Sequence, residues 1–519
     1  MTVAQLSQGL VAVLPEILLL VLGILVIATD LFMRPHPPAP SPEIEKMISG
    51  EGEHGSETDR RALAYLSIGG LLIVLGVIGL QTMPLLIESA PAVQPVLGGM
   101  VRIDLTAQLF RILFVVAAIL TCVISLDFNP IKQTGEYYGL LIFSTVGMGM
   151  MAGANDIIML YVGLETTGIA LYMLAGFMRD TRPSSEAGLK YFLFGAFTST
   201  VLLYGLSLLF GFTCQTSYPA IAAELAKLVA NQQTLPVMLA LVLVLVGFGF
   251  KVAAVPFHMW APDVYEGAPT PITAFISVAS KAAGFAVLVR FFLLVFGSVQ
   301  EQWIGLVAAL ATATMILGNV LAIPQRNIKR MLAYSSIAQA GYVLIGVAAV
   351  GTLGTAGVLY YLAAYVLTNM AAFAVVEVVT NVTGSELIKD LAGFSRRSPG
   401  VALALLAAML SLGGVPPLAG FFAKFFVFNA AMGYVDATGQ HVLVWLALVG
   451  VLNSIVALYY YLIVLKVAYV DRVEGDTVPV VVPGSFKIAL TVTVLGMLAM
   501  GIFATPWYSV ATTAAQTIR

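Results

Sequence analysis

The sequence predicts an all-α polytopic membrane protein of about 14 transmembrane helices, on three observations. Of its 519 residues 60% are apolar and only 10% are charged. A soluble domain carries about 25% charged residues, so this chain cannot cover a water-facing surface. The apolar residues fall in runs close to the roughly 20 that a helix needs to cross about 30 Å of hydrocarbon. Those runs lack the strict alternation of an outer-membrane barrel, which excludes spanning strands.

Taken in order, the first eight runs lie near 10–33, 62–80, 103–126, 136–152, 155–178, 188–211, 236–259 and 271–297. Six more lie near 302–323, 328–350, 354–380, 400–430, 441–468 and 486–508. The opening MTVAQLSQGL has no basic stretch, so the first run reads as a retained span rather than a signal peptide. The fourth run is short, and the twelfth is long and broken. The insert 34–61, RPHPPAPSPEIEKMISGEGEHGSETDRR, is rich in Pro, Gly, Ser and acid and reads as a flexible, solvated loop. The chain then divides into residues 1–135 (three helices and this loop), 136–297, 298–470, and 471–519 with the last helix.

Charge sets the orientation. The odd-numbered loops carry 16 of the 25 Lys and Arg, the even loops and termini carry Arg102, Lys227 and Arg519, and six lie within spans. This bias puts the odd loops in the cytoplasm and both termini outside. A miscounted span would have scrambled it. The net charge of −2 implies no nucleic-acid partner. Cys122 and Cys214 offer no CxxC, cluster spacing or disulfide framework.

The basic residues within spans are Arg111, Lys190, Lys251, Lys281, Arg290 and Lys424. A charge at a helix centre costs at least ~2.5–3.5 kcal/mol on insertion, so each should face protein or water. Arg111 and Arg290 have long stems that can snorkel to an interface, and Lys190 lies close to the end of its span. Glu377, Glu16 and Asp30 also lie near span ends. Glu165, central in NDIIMLYVGLETTGIALYMLAGFM, and Lys251, Lys281 and Lys424 are harder to discount. Either they tie helices together as ion pairs, or they pass protons. Lysine suits the second role, because burial loosens its proton and a nearby carboxylate tightens it again.

Two spans carry breakers, VPFHMW around Pro256 and GGVPPLAGFF around Pro416 and Pro417. Proline removes a backbone donor and clashes with the preceding turn. Such breaks persist at membrane depth where protein or a water-filled cavity satisfies the freed groups. Corresponding breaks in two halves point to inverted repeats. Pro256 and Pro416 stand 160 residues apart, so helices 4–8 and 9–13 form two five-helix repeats, with helices 7 and 12 broken. YFLFGAFTSTVLLYG at 191 and YYLAAYVLTNMAAFA at 360 fit a similar offset. His258 follows the first break and serves either as a proton-passing group or as a hydrogen-bonded structural residue. With four His in the chain, no metal cluster, haem pair or nucleotide loop is available, so any redox chemistry lies elsewhere.

FKVAAVPFHMWAPDVYEGAPTPITAF, NIKRMLAYSSIAQAGY and GGVPPLAGFFAKF resemble the antiporter-like subunits of proton-pumping NADH:quinone oxidoreductase, respiratory complex I. The likeness covers nearly the whole chain and is strongest from 155 to 430. A lysine in PPLAGFFAK, 14 spans and no long lateral helix after 508 resemble the N-type; the M-type would carry Glu at the Lys424 position, and the L-type a long C-terminal extension.

The resemblance implies a proton relay in which Glu165 is the fifth-helix glutamate and Lys251 its seventh-helix partner. Lys281 is then the connecting eighth-helix lysine, Lys424 the output lysine, and Lys190 a sixth-helix lysine near the glutamate. It also implies no cofactor bound by this chain, with NADH, FMN, Fe–S clusters and quinone in other subunits. Partners would be adjacent antiporter-like and small helical membrane subunits, together with the lipid bilayer. The wording LETTGIALYMLAGFMRD departs from the cyanobacterial and chloroplast pattern, which favours a bacterial cell membrane over a thylakoid. The alternatives are a subunit of a multisubunit cation/proton antiporter or of a membrane hydrogenase, and a purely structural membrane subunit.

Overall fold

A computed structural model describes residues 3–33, 57–87, 94–128, 130–131, 133–472 and 478–518. Most of the predicted loop 34–61, with Arg34 and Lys46, and also Lys132 and Arg519, lie outside the described residues. The helices are α1 (Leu14–Met33), α2 (Glu57–Ile87), α3 (Leu105–Ser125), α4 (Thr134–Gly153) and α5 (Ile157–Ala175). Then come α6 (Arg182–Thr213), α7 (Thr234–Val252), α8 (Thr270–Leu294), α9 (Gln300–Ala322) and α10 (Ile328–Ala348). The last are α11 (Thr352–Thr383), α12 (Pro399–Gly413), α13 (Ala419–Gly433), α14 (Val444–Tyr469) and α15 (Gly484–Ile502).

Twelve helices among the described residues are long and apolar enough to cross a membrane. The fourth run is α4, 20 residues long and less apolar, and the twelfth is divided into α12 and α13. Run length did not reveal five short helices, Val3–Ala12, Tyr218–Ala230, Trp260–Gly267, Phe394–Arg397 and Ala504–Gln516, or the hairpin of β1 (Gln94–Val96) and β2 (Val101–Ile103).

Helices α8, α10 and α11 form the centre: 100%, 94% and 89% of their apolar windows are buried, against 28% for α1 and 33% for α14. The outer helices expose Leu20, Ile24, Leu72, Phe197, Leu452 and Ile455, side chains that suit hydrocarbon.

Loops expected on the same side touch each other. On one face Arg61 reaches Asp127, Arg330 reaches Asp263, and Lys329 reaches Glu386. On the other, Asp156 bridges Ser217 and Arg102 donates to the Thr517 carbonyl at 2.7 Å.

Two stretches are built alike. Helices α6 and α11 are both 32 residues long and end on a left-handed residue, Cys214 (φ 53°) and Gly384 (φ 67°). Asp156 and Asn327 cap α5 and α10 by accepting from Ile158 N–H and Arg330 N–H. Ile157 N–H donates to Thr216 O at 3.0 Å, and Ile328 N–H to Glu386 O at 2.8 Å. The same bridge therefore appears once on each face of the protein.

Two buried ion pairs replace expected surface groups. Arg290 does not snorkel: it makes two 2.7 Å bonds to Asp104, which also caps α3 by accepting from Ala107 N–H. Arg111 pairs with Glu16 at 2.8 Å between α3 and α1. Both arginines are 2% exposed, because a carboxylate supplied by another segment removes the need to reach water.

Candidate functional site

Helix α7 ends where Ala253 turns left-handed (φ 57°), and Ala254 N–H bonds back to Gly249 O at 2.8 Å. Helix α12 ends in the same way at Gly414 (φ 84°), with Val415 N–H on Leu410 O at 2.9 Å. The backbone therefore matches Val255–Pro256 with Pro416–Pro417, both cis, so Pro256 corresponds to Pro417 rather than to Pro416. The breaks free polar groups that side chains take up. Val255 N–H donates to Thr314 Oγ1 at 3.0 Å and Trp260 Nε1 to Phe250 O at 3.2 Å. In the second break Gln339 Nε2 and Lys424 Nζ donate to the successive carbonyls of Leu412 and Gly413, each at 3.1 Å.

Lys251 occupies the last turn of α7 and is 3% exposed. Its Nζ has no hydrogen-bond partner among the described residues. It borders a cavity of about 10 Å³ with Tyr172, Thr198 and Ser199, room for about one water. Glu165 on α5 is half-buried with its Oε1 unpaired, and it acts on Lys251 electrostatically. The expected ion pair is not formed: neither Lys251 Nζ nor Glu165 Oε1 has a hydrogen-bond partner among the described residues.

Lys190 departs further from expectation. It bonds Asp263 at 2.6 Å and Glu186 at 2.7 Å, not Glu165. Asp263 lies on Trp260–Gly267, the short helix that the break swings towards α6. These three residues, with Arg330, Glu266, Lys329 and Glu386, line a vestibule of about 680 Å³. His258 is buried, with Nδ1 unpaired, at the first break.

Lys281 lies at the centre, directly after a π turn at Ile276–Ser280, the kind of irregularity that concentrates at functional sites. Its Nζ donates to Ser336 O at 2.6 Å and Ser336 Oγ at 2.5 Å. Tyr365 OH donates to the same Oγ at 2.8 Å, and Asn369 Nδ2 donates to Ser277 Oγ at 2.6 Å. One helix turn along α10, Gln339 accepts from Tyr361 OH and donates to Tyr461 OH and Leu412 O. The next carbonyl, Gly413 O, accepts from Lys424, whose Nζ lies 4.6 Å from the centre of the Tyr342 ring.

The polar groups thus run from Lys281 through Ser336 and Gln339 to the freed end of α12 and Lys424. A second cavity of about 10 Å³, lined by Gln339, Tyr361, Thr368 and Ser411, lies along this line. Between Lys251 and Lys281 the wiring is thinner. Tyr191 stacks on Trp260 (centroids 4.4 Å apart, 9°), and its hydroxyl and that of nearby Ser280 lack direct partners. Ser335, Ser336 and Gln339 were readable as polar residues inside the tenth apolar run, but as uncharged groups they carried no insertion cost large enough to draw notice.

Residues 154–454 match the family described as NADH:quinone oxidoreductase/Mrp antiporter, TM. The match spans more than half of the chain, and the chain belongs to this family of antiporter-like membrane proteins. Within it the chain is of the N-type. It is 44% identical over 464 residues to NADH-quinone oxidoreductase subunit N of Moorella thermoacetica, covering 89% of this chain and 93% of that one. It is 27% identical to a chain of respiratory complex I from Thermus thermophilus with bound aureothin, at a TM-score of 0.73 over 96% of this chain and 100% of that one. A chain of the Mrp complex from Dietzia sp. shares the fold alone, with 20% identity and a TM-score of 0.80 over 100% of this chain and 98% of that one.

Proposed function

We propose that this chain translocates protons as a membrane subunit of an NADH:quinone oxidoreductase, with NADH, FMN, Fe–S clusters and quinone handled by other subunits. The observation that carries this reading is the polar line from Lys281 to Lys424, two buried ammonium groups joined through Ser336, Gln339 and a broken helix end. Both rest on neutral oxygens rather than on a carboxylate.

Two five-helix repeats, α4–α8 and α9–α14, are supported by the caps, equal helix lengths and matching breaks, and their inversion by the bridge built once on each face. With the basic loops in the cytoplasm of a bacterial cell, protons enter near the vestibule and Lys251, move past Lys281, and leave outward beyond Lys424. Quinone chemistry in neighbouring subunits shifts Glu165 relative to Lys251, which changes how firmly the lysine holds its proton.

The test is the intact complex in liposomes. Lys251→Met or Glu165→Gln lowers coupled NADH:quinone turnover by roughly tenfold or more, short of the ~100-fold or more of a fully committed proton-transfer group. Proton uptake and turnover equal to the parent in both variants would remove this reading.

A further inference from the structure

Glu377 has no part in the pathway just described, and its position near the end of a span made it look peripheral. The structure buries it: it is 2% exposed on α11, where it lines the vestibule floor with Thr380 and Asn381. Thr270, at the start of α8, and Asn381 line the cavity beside it, with Lys329 and Glu386 as the nearby charged groups. Lys329 is already held by Glu386 at 3.0 Å and by Ala268 O at 2.9 Å, so among the described residues Glu377 has no ammonium of its own. A buried carboxyl without a dedicated countercharge is costly as a structural element and useful as a proton carrier.

Helices α8 and α11 meet through polar side chains at three successive depths. At the vestibule floor Thr270 and Glu377 line the same cavity. Deeper, Asn369 Nδ2 donates to Ser277 Oγ at 2.6 Å in the π turn. Deepest, Tyr365 OH and Lys281 Nζ converge on Ser336. From Thr270 to Lys281 this seam runs roughly 16 Å at about 1.5 Å per residue. Phe373, buried edge-on to Tyr265, lies on α11 between Glu377 and Asn369.

We infer that Glu377 is a proton-loading residue that charges Lys281 from the vestibule along the α8–α11 seam, a second intake that Lys281 requires in addition to Glu165 and Lys251. The proton transfers from the Glu377 carboxyl to water in the seam and on to the Lys281 amine, and Glu377 is reprotonated from the vestibule. The inference rests on the proposed proton-carrying function.

The experiment compares intact complexes in liposomes, reading NADH-driven proton uptake with a pH-sensitive dye. A native gel reports assembly, and electron transfer from NADH to a water-soluble acceptor reports the redox subunits. Glu377→Gln reduces coupled proton uptake roughly tenfold with transfer to the soluble acceptor intact, while Glu377→Asp keeps roughly half or more, because it retains the acid that the step needs. A merely structural glutamate would be replaced by its isosteric amide without that split. Normal uptake in Glu377→Gln alongside loss in Lys281→Met overturns the second intake and leaves the relay standing. Normal uptake in Lys281→Met overturns the relay itself. If Glu377→Gln does not assemble, Asn369→Leu decides: loss of uptake supports the seam and normal uptake overturns it.

Discussion

Asp104→Asn is expected to remove this subunit from the assembled membrane complex. The side chain keeps its size and an oxygen that can cap α3, so local geometry survives. What is lost is the charge that neutralises Arg290, whose guanidinium makes two 2.7 Å bonds to Asp104. Breaking a buried pair from one side costs about 3–5 kcal/mol, because the remaining charge is uncompensated. That is a large fraction of the roughly 5–15 kcal/mol that stabilises a typical native protein. Arg102 Nε lies 3.2 Å from the same carboxylate, so the variant leaves two guanidinium groups facing each other. The check is the amount of assembled complex in membranes on a native gel. Asp104→Leu combined with Arg290→Leu recovers part of it, since it leaves one guanidinium without the carboxylate instead of two, and Arg102 still donates to Thr517 O at 2.7 Å. Full assembly of Asp104→Asn would contradict this account of the pair.

Lys281 produces the largest functional effect. Lys281→Met removes the amine between the two halves and is expected to lower coupled turnover on the order of a hundredfold, the usual weight of a proton-transfer group. Lys281→Arg separates chemistry from charge. Arginine keeps a cation that can bond Ser336, but a guanidinium does not release its proton in a protein. If Lys281 only anchored α8 to α10 through its 2.6 Å bond to Ser336 O, Arg would rescue assembly and turnover together. The relay account expects assembly without turnover, measured as NADH:quinone activity against transfer to a soluble acceptor.

Much of the fold was legible because bilayer thickness imposes one length on every span and charge bias sorts the loops. The proposed repeat was only faintly legible. The two similar stretches share backbone devices, such as the caps at Asp156 and Asn327 and the left-handed ends at Cys214 and Gly384, rather than side-chain identity. For the same reason the offset taken from the prolines matched Pro256 with Pro416, whereas the left-handed residues Ala253 and Gly414 set the frame.

Buried lysines announce themselves by their cost, so Lys251, Lys281 and Lys424 could be picked out one by one. Their partners could not. Asp104 and Arg290 are 186 residues apart, and Lys190 meets Asp263 only because the break carries the Trp260–Gly267 helix back against α6. Ser336, Gln339 and Tyr365 are single uncharged groups within apolar runs, and only their convergence on Lys281 and Leu412 O gives them a role.

The measurement that bears most directly on proton translocation through this chain is the proton-to-electron ratio of the reconstituted complex carrying Lys424→Met. Electron transfer to a soluble acceptor should match the parent, since it does not depend on Lys424. The account predicts a lower ratio of protons moved per electron, or a matching fall in coupled turnover, because the polar line from Lys281 ends at the Lys424 amine. An unchanged ratio at unchanged turnover would contradict it.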